Sequence, residues 1–219
     1  MKSVPIVVLF IVLLSVYGFS YLHLQDEREK FFETDFIEYV LPSAFTGPAS
    51  LEFKGITSDF LLFKFMAIFG SRIDKINRAD DKYWGYVYNA LDTITDLDPY
   101  YFDAYLFAEM LLTLHAGKIE YANNLLLKGN TYITNDYRIP YYLGFNYYYY
   151  LKDNANGAKY MMEASKIPGS RYYLASLAAR LSAYSSQHRV GIVFLEDMIC
   201  AGKVPVMSED DYWEFIGED

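Results

Sequence analysis

Cysteine is nearly absent from the sequence: among 219 residues only Cys200 carries a thiol. One thiol excludes an intrachain disulfide and a multi-thiolate metal site, and it lies too far from the N-terminus to be an acylated lipoprotein residue. It reads as a small buried apolar residue. Basic runs are missing as well. No Lys/Arg cluster exceeds two residues and the formal charge is −9, so no nucleic-acid partner is expected, because neutralising phosphates needs a basic face. Histidine is scarce: His23, His115 and His188 are scattered, with no His-Glu-x-x-His pair to hold zinc. No Gly-rich phosphate loop, Gly-x-Ser-x-Gly elbow or Cys-x-x-Cys pair occurs. Residues 153–163 suggest a calcium loop superficially, but the glycine and glutamate fall one position early, and the segment reads as an inter-helix turn. Catalytic residues, a metal ion, a cofactor and a small-molecule substrate are therefore not expected.

What is present is apolar and aromatic. Hydrophobic residues make up 53% of the chain and aromatics 19%, with 23 tyrosines, enough to bury a core and to furnish recognition surfaces. Residues 4–22, VPIVVLFIVLLSVYGFSYL, contain no charge. Nineteen helical residues extend roughly 28 Å, the thickness of a hydrocarbon core. Lys2 precedes the run, and Asp26, Glu27 and Glu29 follow it. That asymmetry favours a cytoplasmic N-terminus and an extracytoplasmic (periplasmic) remainder. A cleavable signal peptide would use Gly18 and Ser20, but the Ala-x-Ala pattern is missing. Residues 1–23 are thus read as a transmembrane signal anchor.

Residues 24–55 form a connecting region, with a short amphipathic helix over 26–39 and breakers at Pro42, Gly47 and Pro48. Beyond it helical runs alternate with short breakers, and an internal repeat emerges. Ala108 and Gly144 lie 36 residues apart, as do Ala122 and Ala158, Phe107 and Leu143, Leu111 and Tyr147, and Leu126 and Met162. Gly117 breaks the first copy and residues 153–157 the second. Weaker copies flank these: residues 57–69 with 84–97, and Leu177, Ala178 and Leu181 with Gly191 and Leu195. About four helix–turn–helix units fill residues 56–200. Antiparallel helices that cross closely need small residues there, which assigns a packing role to Ala108, Ala122, Gly144, Ala158, Ala178 and Gly191. Residues 201–219 end in SEDDYWEFIGED, with Ser208 as N-cap of a capping helix or an acidic-aromatic tail.

This spacing resembles the tetratricopeptide repeat, on Leu143, Gly144 and Tyr147 in a first helix and Ala158, Met162 and Ser165 in a second. The preceding copy offers Phe107, Ala108 and Leu111, then Ala122, Leu126 and Gly129, and Pro99 and Pro168 match the prolines that close a unit. No tryptophan occupies the family's position, and the turns are about two residues longer. The order of anchor, LPSA stretch and repeats also resembles anchored repeat proteins of bacterial envelopes. The resemblance implies an all-α fold, a transmembrane helix followed by an α-solenoid, with first helices lining a concave groove. That groove would present Phe102, Tyr105, Glu109 and Leu112, then Arg138, Tyr141, Phe145 and Tyr148, then Tyr172, Ala179 and Ser182. The implied function is a membrane-anchored scaffold or assembly factor of the cell envelope that binds other proteins; the alternative is an accessory single-pass subunit of a larger membrane complex.

Overall fold

The computed structural model describes residues 4–33, 39–73, 76 and 79–203, and the segment 204–219 read as a cap or tail lies outside them. Every regular element among the described residues is helical. The chain forms two units, residues 1–40 and 41–219.

The first unit holds α1, Val4–Glu33, one unbroken helix of 30 residues. The short helix expected over 26–39 is therefore not separate, at least as far as Glu33. The stretch HLQDEREKFFE contains neither Gly nor Pro and is rich in strong helix formers, so nothing stops propagation from the apolar run. The side chains described in α1 are those of residues 10 and 12–25, so part of the apolar run lies outside them. Among the described residues no helix is long and apolar enough to cross a membrane. Those described are nonetheless exposed all around the helix, Phe10, Leu13, Val16, Phe19 and Leu22 included.

The second unit opens with α2, Ser43–Ser50, where breakers were expected: Pro42 serves as N-cap, its carbonyl accepting from Phe45 and Thr46, and Pro48 sits in the last turn. Then follow α3 (Lys54–Arg72), α4 (Asp81–Leu97), α5 (Phe102–Ala108) with a π-helical continuation over Glu109–His115, and α6 (Ile119–Tyr132). The described residues continue with α7 (Arg138–Phe145), extended as π-helix over Asn146–Tyr150, then α8 (Asn154–Lys166), α9 (Tyr173–Tyr184) and α10 (His188–Cys200). Helices that follow one another in the chain pack on one another, the arrangement compatible with an α-solenoid.

Local chemistry sets the starts and stops. Asp80 caps α4 by accepting from Tyr83 N–H at 2.9 Å, and Asp153 caps α8 by accepting from Asn156 N–H at 3.0 Å. These amide bonds hold the Asp153 carboxyl below its usual range. The first helices of the second and third pairs close in the same widened turn. Ala116 N–H donates to Leu111 O and Lys118 N–H to Leu112 O, then Leu151 N–H to Asn146 O and Asp153 N–H to Tyr147 O. α9 closes one residue tighter, Ser185 N–H donating to Leu181 O and Gln187 N–H to Ser182 O. Each turn contains one left-handed residue, Gly117 (φ 64°), Lys152 (φ 57°) and Ser186 (φ 64°). The repeat therefore recurs in backbone geometry, not only in residue types.

The core is a chain of such contacts. Phe65 of α3 meets Tyr86 of α4 at 6.4 Å, and Ser58 donates to Ile94 O at 3.1 Å. Val87, Leu91, Ile94, Leu111, Leu126, Leu143 and Met161 are buried. A cluster of Ala158, Met161, Ala164, Leu174, Ala178, Leu181 and Phe194 joins α8, α9 and α10. Cys200, expected inside, is exposed: it sits in the last turn of α10 on the side away from buried Phe194 and Met198.

Candidate functional site

Small residues bring the paired helices close. Ala108, Ala122, Ala158 and Ala178 are buried, as are Gly144 and Gly191. A Cβ on Gly144 would lie 2.9 Å from Met161 Cγ and 3.1 Å from Gly157 O. One on Gly191 would lie 2.9 Å from Ala179 O. These contacts fix how far α7 and α9 protrude, and hence what their outer sides present.

The first helices stand in order. Arg138 of α7 stacks its guanidinium over the Phe102 ring of α5 at 4.1 Å. Arg138 also forms a fork with Asp136, Nε to Oδ1 at 2.9 Å and Nη2 to Oδ2 at 2.6 Å, which holds the Asp136 carboxyl below its usual range. Its charge is thus already matched within the chain. The outer side of α7 carries an aromatic row. Phe145 stacks on Tyr149 at 5.2 Å and 11°, Tyr150 meets Tyr149 edge-on at 4.9 Å, and Tyr141 continues the row towards Phe145 at 6.4 Å. Tyr141 and Phe145 are half-buried, and Tyr149 and Tyr172 are 52% and 58% exposed. Burial, then neighbouring Tyr173 and Tyr142, push the Tyr141 hydroxyl up, so it remains a neutral donor at physiological pH. Lys152 Nζ lies 5.1 Å from the Tyr149 ring.

Five of the expected groove residues are elsewhere. Tyr105 and Leu112 are fully buried and Glu109 is 7% exposed. Tyr105 turns inward because Gly129 of α6 leaves room for its ring, and its hydroxyl donates to Pro99 O at 3.0 Å. Ala179 and Ser182 are likewise buried against α10. The π-helical turn over Glu109–His115 advances by fewer degrees per residue than an α-helix, so Leu112 within it turns away from the position that α-spacing gives. Tyr105 and Glu109, before and at its start, are instead core because α5 packs against both α4 and α6. Phe102, Arg138, Tyr141, Phe145, Tyr148 and Tyr172 retain partly or largely accessible side chains.

Glu109 instead belongs to a buried polar network that sequence spacing missed. Its Oε2 accepts from Thr113 Oγ1 at 3.1 Å and from Asn146 Nδ2 at 2.8 Å, and Asn146 Nδ2 also donates to Asn123 Oδ1 at 2.9 Å. Burial pushes the Glu109 carboxyl up, against the lowering effect of Asn146 and Thr113. Asn146 Oδ1 has no hydrogen-bond partner. The network links both helices of one pair to the first helix of the next, a polar register pin between units. The signal available in the sequence was polar residues on otherwise apolar stripes, Asn123 beside Ala122 and Asn146 beside Phe145.

Among the described residues no group of three or more His, Cys, Asp or Glu side chains could hold a metal ion. The chain matches no protein-family model, no curated protein and no solved structure.

Proposed function

We propose that the protein is a membrane-anchored, non-catalytic scaffold or assembly factor of the cell envelope, a tetratricopeptide-like solenoid that binds other proteins. The observation that carries this reading is the aromatic row of Tyr141, Phe145, Tyr149 and Tyr150, together with accessible Tyr148 and Tyr172. Its rings are held by partial burial on one side and accessible on the other. Rigid aromatics lose little conformational entropy on binding and give large contact areas, the properties of binding hot spots. The packing of successive helices, the one kind of regular element among the described residues, supports the solenoid, and the uncharged run 4–22 together with the length of α1 supports an anchor. Lys2 before that run and the acids after it support a periplasmic solenoid with the N-terminus in the cytoplasm.

A photo-crosslinking residue placed at Tyr149 or at Tyr172 in native membranes tests the reading. Both sites are expected to capture the same polypeptide, while the same residue at exposed Glu120 captures none, and Tyr148→Ala with Tyr172→Ala is expected to abolish capture at Tyr149. Equal labelling from all three sites refutes a binding face there. An accessory single-pass subunit is the second reading, favoured by further exposed apolar residues such as Val190, Ile192 and Val193 on α10. It requires a stoichiometric complex that survives mild detergent.

A further inference from the structure

An exposed apolar stripe with no partner among the described residues lies at the start of the second unit. Ile56, Phe60 and Phe63 are 67%, 63% and 74% exposed, and with Ala67 they recur at helical spacing along one side of α3. The opposite side of α3 buries Leu62, Phe65, Ile68 and Phe69. Phe53 and Leu51, just before the helix, are also exposed. Leu51 is conformationally unusual. Phe53 N–H donates to Ser50 O at 2.8 Å, closing a turn in which Leu51 adopts φ 49°, ψ −119°. That is the first central position of a type II′ turn, where glycine is the default. A leucine kept in the left-handed region while its side chain points into solvent gains nothing from packing within the chain. Strain of this kind collects where a ligand or surface is clamped.

We infer that this side of α3, with Leu51 and Phe53, docks on the headgroup–acyl boundary of a lipid bilayer, a reading that rests on the anchoring of α1. Three observations choose lipid as the occupant. Ile56 follows Leu22, the end of the uncharged run, by 34 residues, so an anchored run tethers the stripe to the membrane at high effective concentration. From Leu51 to Arg72 the charged residues are Lys54, Lys64 and Arg72, the last stacked over the Tyr83 ring at 5.8 Å, against Glu52 and Asp59. This stretch therefore does not carry the negative excess of a chain of net −9 that phosphate headgroups would repel. The stripe is also Phe-rich and without a polar member to fix orientation, as an interfacial helix requires and a specific protein groove does not.

The test uses the full chain in phosphatidylcholine nanodiscs, with Cys200→Ser as background and a nitroxide on a single new cysteine. Phe60→Cys and Phe63→Cys report the stripe, Glu120→Cys at an exposed position of α6 reports solvent, and Leu13→Cys reports α1. The ratio of oxygen to nickel-chelate accessibility is expected to be several-fold higher at 60 and 63 than at 120, with 13 higher still. If 13 reports the bilayer while 60 and 63 match 120, lipid docking is overturned and the anchor stands. If 60 and 63 are shielded from both relaxants, protein covers them, and lipid docking is again overturned. If 13 itself reports water, the anchor falls and the docking with it.

Discussion

Gly144 offers the sharpest perturbation of the helix pairs. Replacing it by alanine places a methyl 2.9 Å from Met161 Cγ, 3.1 Å from Met161 N and 3.1 Å from Gly157 O. The Met161 side chain can turn away, but the two backbone atoms belong to α8 and move only if α7 and α8 separate. Overpacking of this kind costs about 1–3 kcal/mol, against about 1 kcal/mol gained from replacing a helical glycine. The net loss is about 1 kcal/mol, and about 3 kcal/mol or more for Gly144→Val. Gly85 supplies an internal control, since it lies in α4 with nothing within 4 Å of its would-be Cβ. Gly85→Ala is therefore expected to stabilise by about 0.5–1 kcal/mol. Thermal unfolding by far-UV circular dichroism reads the difference, at about 2–4 °C per kcal/mol for a domain of this size. Hydrogen exchange in Gly144→Ala is expected to loosen α7 and α8 first, because each pair of a stacked array leans only on its neighbours. A Gly144→Ala melting temperature equal to or above that of Gly85→Ala would refute the close-crossing argument.

Lys152→Gly is expected to raise the melting temperature by about 2–4 °C, since glycine removes roughly 1 kcal/mol of left-handed strain at a position whose counterpart one repeat earlier is Gly117. Leu51→Gly is expected to stabilise the detergent-solubilised chain by about 1 kcal/mol or more through the same relief, and an unchanged melt would show that the turn is not strained. Glu109 gives a pH signature. Its carboxyl is raised above the ordinary 4.5 when folded, so the folded state holds the proton longer than the unfolded chain, and stability falls as pH rises from about 4.5 through the folded value. Glu109→Gln keeps the acceptor for Asn146 and Thr113 and is expected to flatten that part of the stability–pH curve; an identical slope in the variant would place the titrating group elsewhere.

Much of the fold was legible in residue order. The offset that aligns Ala108 with Gly144 and Ala122 with Ala158 announced paired helices, because close crossings demand small side chains wherever they recur. The second helix of the first pair, read over 84–97, is the core-facing part of α4, whose Val87, Leu91 and Ile94 are buried. Helical spacing put Tyr141 and Phe145 on one side of α7, and their rings meet at 6.4 Å, but the ring that stacks next on Phe145 is Tyr149 and not Tyr148.

What spacing could not supply was the phase of each helix after a departure from α-geometry. The π-helical turns at Glu109–His115 and Asn146–Tyr150 shift register for the residues within and after them, Leu112 among them, while Tyr105 and Glu109 went to the core because α5 packs on both α4 and α6. Nor could the sequence pair Glu109 with Asn123 and Asn146, since a hydrogen bond across three helices depends on their mutual placement rather than on any one helix's pattern. The left-handed conformations of Leu51, Lys152 and Ser186 belong to the same class, being imposed on residues that would not choose them. Composition and periodicity determined that helices form and pair; tertiary packing decided which side each one shows.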